Sequence, residues 1–241
     1  MALIVKKFGG SCLMDDAALR NAARIIAESR RAGSDVIAVV SAQGTVTDRL
    51  IEKTKRLSAR PSARELDAVM SAGEQLAASL LTVAVQEEGV DCVSLLGWQA
   101  GIRTGSHFGR ARIREIDASR IKKELSAKRA VIIAGFQGMD KYGDMTTLGR
   151  GGSDTTAVAV AAAMGASRCE IYSKIDGIYT ADPEEIPEAK KIREINYEAM
   201  QELSFLGVKV LNSRAVELAK KYSVLLEVRS AFSDAEGTLI K

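Results

Sequence analysis

The chain has 241 residues, 46% hydrophobic and 27% charged, enough apolar material for a sizeable core in one or two domains. Thirty-four basic residues against 31 acidic ones leave a net charge of +3, an excess too small to point to nucleic acid or an anionic membrane as partner. Three widely spaced cysteines (Cys12, Cys92, Cys169) and one histidine give neither a disulfide framework nor metal-ligand spacing, as expected of a reduced, cytoplasmic protein.

Short β-branched runs alternate with longer helical patterns. Leu3 to Phe8 reads as a strand and Asp15 to Arg31 as a helix, with Asp15 or Asp16 available as its cap. Val36 to Val40 is a continuous apolar run, the pattern of a strand buried on both faces. Thr47 to Leu57 and Ala63 to Glu88 read as helices, Val90 to Leu96 as a strand, Asp117 to Ala127 as a helix and Ala130 to Ala134 as a buried strand. Lys141 to Asp144 marks a turn between short strands. Ser153 to Met164 is a helix that Gly165 can close, and Cys169 to Tyr172 a strand. Helices follow near Glu198 to Leu203 and Ser213 to Lys221, then a last strand from Val224 to Val228. Ala2 to Val5 is too short for a signal peptide, and Ala157 to Ala166 too short for a bilayer span of about 20 residues. The alternation predicts an α/β domain with a mainly parallel sheet covered on both faces, ligands binding at the carboxyl ends of its strands.

Two strand-end loops carry the chemistry. In Lys7-Phe8-Gly9-Gly10-Ser11, glycines between a strand and a helix let backbone N–H groups approach an anion, and Lys7 supplies a point charge. The spacing is neither a Walker A loop nor a dinucleotide fingerprint, and a tight turn beside an exposed lysine explains the residues equally well. In Thr147 to Asp154, three glycines, Arg150 and Asp154 precede an alanine-rich helix. Arg150 can clamp a carboxylate or phosphate bidentately; Asp154 can cap the helix or organise a lysine across a site. Capping alone needs neither three glycines nor an arginine, so the composition favours a ligand loop.

Together these loops, with Val40-Ser41-Ala42, Ser71 to Gln75, Gly135 to Gly138, Asp176 to Pro183 and Gly207 to Leu211, resemble the amino acid kinase family, and within it the aspartokinase branch. The resemblance covers nearly the whole chain. It implies a three-layer αβα sandwich around a mainly parallel eight-stranded sheet, as one domain over residues 1–241. A substrate side would lie at about 1–135 and a nucleotide side at about 136–241. It also implies transfer of phosphoryl from ATP, carried with Mg²⁺, to the side-chain carboxylate of L-aspartate, the first step toward lysine, threonine and methionine. No protein metal ligand, nucleic acid or membrane is implied, and a homodimer is expected.

By the same resemblance Lys7, Gly9, Gly10 and Ser11, with Gly151 and Gly152, contact the transferred phosphoryl, and Asp154 orients the active-site lysine. Glu74 and Arg150 hold the substrate ammonium and α-carboxylate; Ser41, Thr47, Phe136 and Ser153 complete that pocket. Lys209 reaches the nucleotide phosphates. Ser173, Lys174, Asp176, Gly177, Tyr179, Asp182 and Glu184 form the adenosine segment. A substrate carboxylate with pKa near about 3.9 is ionised at neutral pH, so the nucleophile needs no general base. The difficulty is the repulsion of two anions, which cations and backbone donors relieve.

Lys174 and Glu184 stand where the family has an acid and a base respectively, and are expected to pair with each other. The sequence ends where the family's kinase domain ends, so the regulatory ACT domains of typical aspartokinases are expected to be lacking. His107 and Trp98 read as packing residues. A family enzyme with another acceptor, or a non-catalytic binding homologue, are the alternative functions.

Overall fold

The computed structural model describes residues 2–181, 183, 185–206 and 210–241. In chain order it forms β1 (Leu3–Phe8), a 3₁₀ turn (Gly10–Cys12), α1 (Asp16–Arg31), β2 (Asp35–Val40), α2 (Val46–Leu57), α3 (Ala63–Glu87), β3 (Cys92–Leu95), β4 (Ile102–Thr104) and β5 (Ile113–Ile116). Next come α4 (Ser119–Ser126), β6 (Ala130–Ala134), β7 (Gln137–Met139), β8 (Met145–Thr147), α5 (Gly152–Met164), β9 (Arg168–Ser173), β10 (Ile178–Tyr179) and β11 (Lys191–Ile192). The chain closes with β12 (Glu194–Ile195), α6 (Tyr197–Phe205), α7 (Ser213–Tyr222), β13 (Leu226–Ser230) and β14 (Thr238–Ile240).

Among the described residues the main sheet has eight strands in the order β12-β14-β13-β9-β1-β2-β6-β3, parallel throughout except where β14 returns beside β13. This is the expected three-layer αβα sandwich. Alternation along each strand sends successive side chains to opposite faces. Val36, Ala38 and Val40 pack with Leu19, Ile26, Ala77 and Leu81 of α1 and α3, while Ile37 and Val39 pack with Val158 and Val160 of α5 and Val216 of α7. Both faces are dry, which is why these strands read as unbroken apolar runs.

Local signals set the boundaries. The Asp15 carboxylate accepts the Ala18 N–H at 2.8 Å and Ser62 Oγ the Glu65 N–H at 3.3 Å, capping α1 and α3. Helix α3 is long and apolar enough to cross a bilayer by length and composition, but half of its most apolar window is buried inside the fold. The predicted turn at Lys141 to Asp144 joins β7 and β8, which pair antiparallel within a second sheet, β5-β4-β7-β8. The last predicted strand lies two residues later, at Leu226–Ser230, and a further strand, β14, follows it.

β1 sits mid-sheet between β9 and β2. Its Lys6 ammonium is buried on the α1 face against Glu170, and donates to Tyr172 Oη at 3.1 Å. Tyr172 Oη donates to Glu170 at 2.9 Å and Arg168 Nε to its other oxygen at 2.7 Å. Burial pushes the Glu170 carboxyl upward, but Lys6 and Arg168 outweigh it and hold the pKa below its ordinary value. Removing one partner of a buried pair strands the other, so Lys6→Met is expected to cost about 3 kcal/mol. Urea denaturation reads this; an unchanged midpoint contradicts it.

Candidate active site

On the opposite face of β1 from Lys6, Lys7 points toward α5. Its Nζ lies 2.6 Å from Asp154 Oδ1. The residue at the N-cap of α5 is Gly151, at φ +71, and no side chain caps the helix. Asp154 therefore does not cap; it holds the lysine across the site. Gly151 is required by space as well as by φ, since an added Cβ would lie 2.3 Å from Asn212, whose amide donates to the Arg150 carbonyl at 3.2 Å. The glycines at this positive helix end line the same cavity as the lysine, an arrangement suited to anions.

A cavity of about 200 Å³ opens here, lined by Lys7, Ser41, Thr47, Glu74, Phe136 and Gly149 through Asp154. Every residue expected in the substrate pocket thus lines one space, together with Gly151 and Gly152 of the phosphate loop. Glu74, 4% exposed, accepts the Ala42 N–H on Oε1 at 3.1 Å, while its Oε2 has no hydrogen-bond partner among the described residues. Burial pushes its carboxyl up to about 7, against the opposing Ala42 hydrogen bond. The Arg150 guanidinium is exposed at the rim, with no described partner. Phe136 adopts φ +69, a conformation costly for a bulky side chain, fixed by its N–H to Thr156 Oγ1 at 3.1 Å and its carbonyl to the Leu148 N–H at 2.9 Å.

Of the first glycine loop Lys7 lines this cavity, and Gly9, Gly10 and Ser11 do not. Gly9 N–H donates to the Tyr172 carbonyl at 3.2 Å, and a Cβ on Gly10 would lie 2.6 Å from the Ala42 carbonyl oxygen. Ser11 follows in the 3₁₀ turn. The loop is thus wedged between β9 and the 41–44 segment, with its lysine directed inward, which rules out a turn beside a solvated lysine.

The described residues of the expected adenosine segment, from Ser173 at the end of β9 onward, do not line the Lys7 cavity. Ser173 Oγ caps its own turn through Ile175, and Lys174 is exposed. The Asp176 carboxylate is committed internally, accepting Tyr179 Oη at 2.8 Å and Lys191 Nζ at 2.6 Å. Gly177 is pressed against Thr238, whose Oγ1 accepts the Ile178 N–H at 2.8 Å. Asp182, Glu184 and Lys209 lie outside the described residues, as does the expected Lys174–Glu184 pair.

Sequence reasoning missed Asp67, and read Gly149 and Gln137 only as members of their segments, with no role of their own. Gly149 lines the cavity; the Gln137 amide donates to the Ser71 carbonyl at 2.9 Å, tying β7 to α3. A larger cavity, about 370 Å³, lies on the α1 face beside Lys6. Its acids and bases largely neutralise one another, so the smaller cavity, with its orphaned carboxylate oxygen, is the better ligand site. Among the described residues no three His, Cys, Asp or Glu side chains converge in one group.

The raised Glu74 pKa gives a signed prediction. A carboxyl that titrates higher folded than unfolded costs stability as pH rises from about 4.5 through 7. Glu74→Gln is therefore expected to stabilise the ligand-free protein by about 3 kcal/mol above pH 7, and hardly at all below pH about 4.5. Denaturation at pH 8 and pH 4.5 checks it; equal effects at both contradict it.

The chain is 50% identical to aspartokinase 2 of Bacillus subtilis over 242 residues, spanning all of this chain and 59% of that protein. It superposes on the aspartate kinase of Synechocystis with a TM-score of 0.88 at 41% identity, covering 99% of this chain and 40% of that one. On aspartokinase III of E. coli, in complex with aspartate and ADP, the TM-score is 0.87 at 28% identity, covering 99% and 64%. The chain thus spans about three fifths of the length of the curated relatives it matches. Residues 2–230 match the amino acid kinase family, to which the chain belongs.

Proposed function

We propose that the chain is the catalytic region of an aspartate kinase, transferring the γ-phosphoryl of ATP to the side-chain carboxylate of L-aspartate to give 4-phospho-L-aspartate. The observation that carries this reading is one small cleft holding the Lys7–Asp154 pair, the unpartnered Glu74 oxygen and the free Arg150 guanidinium. An α-amino acid complements the last two: ammonium to Glu74, α-carboxylate to Arg150. That leaves a second carboxylate free to face Lys7. Relatives named aspartokinase, and the E. coli neighbour's complex with aspartate and ADP, support the same reading.

In this mechanism a side-chain carboxylate oxygen attacks the γ-phosphorus as the bond to the β,γ-bridging oxygen breaks, and ADP leaves with that electron pair. No proton moves. Lys7 screens the two anions, and Asp154 fixes the ammonium where charge concentrates. The N-terminus of α5 and Gly10 offer backbone donors, since the Gly9 N–H is held by the Tyr172 carbonyl, and Lys209, by its family match, would add a second cation at the nucleotide. Mg²⁺, arriving with ATP, supplies further charge neutralisation. Residues 1–135 form the substrate side and 136–241 the nucleotide side, with Phe136, Arg150, Ser153 and Asp154 reaching across. Aspartate and ATP are the partners, and a cytoplasmic homodimer is the proposed form; three buried, free cysteines accord with a reducing compartment.

Incubation with Mg-ATP, aspartate and hydroxylamine is expected to yield aspartyl hydroxamate and ADP in equal amounts. ADP release with a different acceptor, or ligand binding without transfer, contradicts the reading. Lys7→Ala is expected to lower turnover about 100-fold or more with circular dichroism unchanged; near-wild-type rates contradict its role.

A further inference from the structure

Asp67 takes no part in the chemistry above, yet it is 1% exposed and forms no ion pair among the described residues. Both its oxygens accept hydrogen bonds. The Gly109 N–H reaches Oδ1 and Oδ2 at 2.9 and 2.8 Å, the Thr147 N–H reaches Oδ2 at 2.7 Å, and the Thr147 hydroxyl reaches Oδ1 at 2.8 Å. Burying a carboxyl group without a cation is costly, and here that cost is offset by donors from only two residues.

Those two residues border the loop that carries Arg150. Thr147 ends β8, three positions before Arg150, and its carbonyl accepts the Ala111 N–H at 2.9 Å. Gly149, at φ +79, packs so closely on Gly109 that an added Cβ would lie 2.9 Å from the Gly109 carbonyl oxygen. The 109–111 and 147–149 segments therefore run together over one carboxylate. Asp67 stands seven residues before Glu74, on the same side of α3 and about 10 Å away along its axis. A single rigid helix thus presents Glu74 to the floor of the cavity and Asp67 to the root of the loop above it.

We propose that Asp67 is a positioning residue that sets Gly149 and Arg150 over the Glu74 pocket, and thereby the affinity for the amino-acid ligand. The kinetic consequence rests on the kinase reading; the structural one does not.

Asp67→Asn turns one acceptor into an NH₂ group aimed at N–H donors, and Thr147→Val removes only the hydroxyl bond. In both, amide hydrogen exchange at 147–152 is expected to quicken about tenfold or more, with β1 and β2 unaffected. The KM for aspartate rises by about the same factor, while the KM for ATP stays within about twofold, tenfold corresponding to about 1.4 kcal/mol. The double variant is no worse than Asp67→Asn alone. In an active enzyme, an unchanged aspartate KM in both variants overturns the proposal, even if both melt earlier. Should the wild type phosphorylate no acceptor, the kinase reading fails and exchange alone decides: unchanged rates at 147–152 overturn the role of Asp67. If Asp67→Asn does not fold, Thr147→Val carries the same test.

Discussion

A lysine on the central strand and an aspartate in the first turn of α5 meet at 2.6 Å, and the rest of the site is arranged around that contact. Residues from distant parts of the chain can meet there only if β1 lies between β2 and β9 and α5 packs over it, as the sheet order provides. Lys6 and Lys7 are neighbours in sequence and opposite in environment because a strand alternates its faces. One ammonium is sealed against Glu170 on the α1 side, and the other is delivered to a cleft on the α5 side. The pleat thus separates a cation sealed in the core from one presented to the cleft. Each needs a carboxylate of its own, since an unpaired buried charge is expensive.

Helix α3 closes the opposite wall. Glu74 bonds the Ala42 amide after β2, the Ser71 carbonyl takes the Gln137 amide of β7, and Asp67 gathers Gly109 and Thr147. The helix joins the main sheet to the smaller β5-β4-β7-β8 sheet through polar contacts buried along one face. Two buried oxygens of this network, Glu74 Oε2 and Gln137 Oε1, have no hydrogen-bond partner among the described residues, and only that of Glu74 belongs to a carboxylate. A buried carboxylate raised to about 7 is a cost in the empty protein that a ligand ammonium would relieve.

Much of this was legible in sequence because it is local. The apolar runs Val36–Val40 and Ala130–Ala134 announce strands covered on both faces, and Asp15 caps α1 as its position predicts. Lys7, Arg150 and Asp154, read from two strand-end loops, and Glu74, assigned by the family resemblance and carried on α3, line one cavity. What escaped was non-local or short. β4 and β14 have three residues each and depend on partners elsewhere in the chain for their identity as strands. Whether Asp154 caps a helix or holds a lysine is decided by Gly151 and by the reach of β1, neither visible in spacing. Asp67 reads as an ordinary helix-surface acid until the fold brings Thr147, eighty positions away, over it.

The central claim is that Lys7 and Asp154 act as one unit on the transferred phosphoryl, and a double-mutant cycle on the single-turnover transfer rate tests it most directly. Lys7→Met and Asp154→Asn are measured singly and together with Mg-ATP and aspartate. The account predicts that the double variant is no slower than the slower single variant, because either change already dismantles the pair. Losses that multiply would show that the two residues act independently and would contradict it.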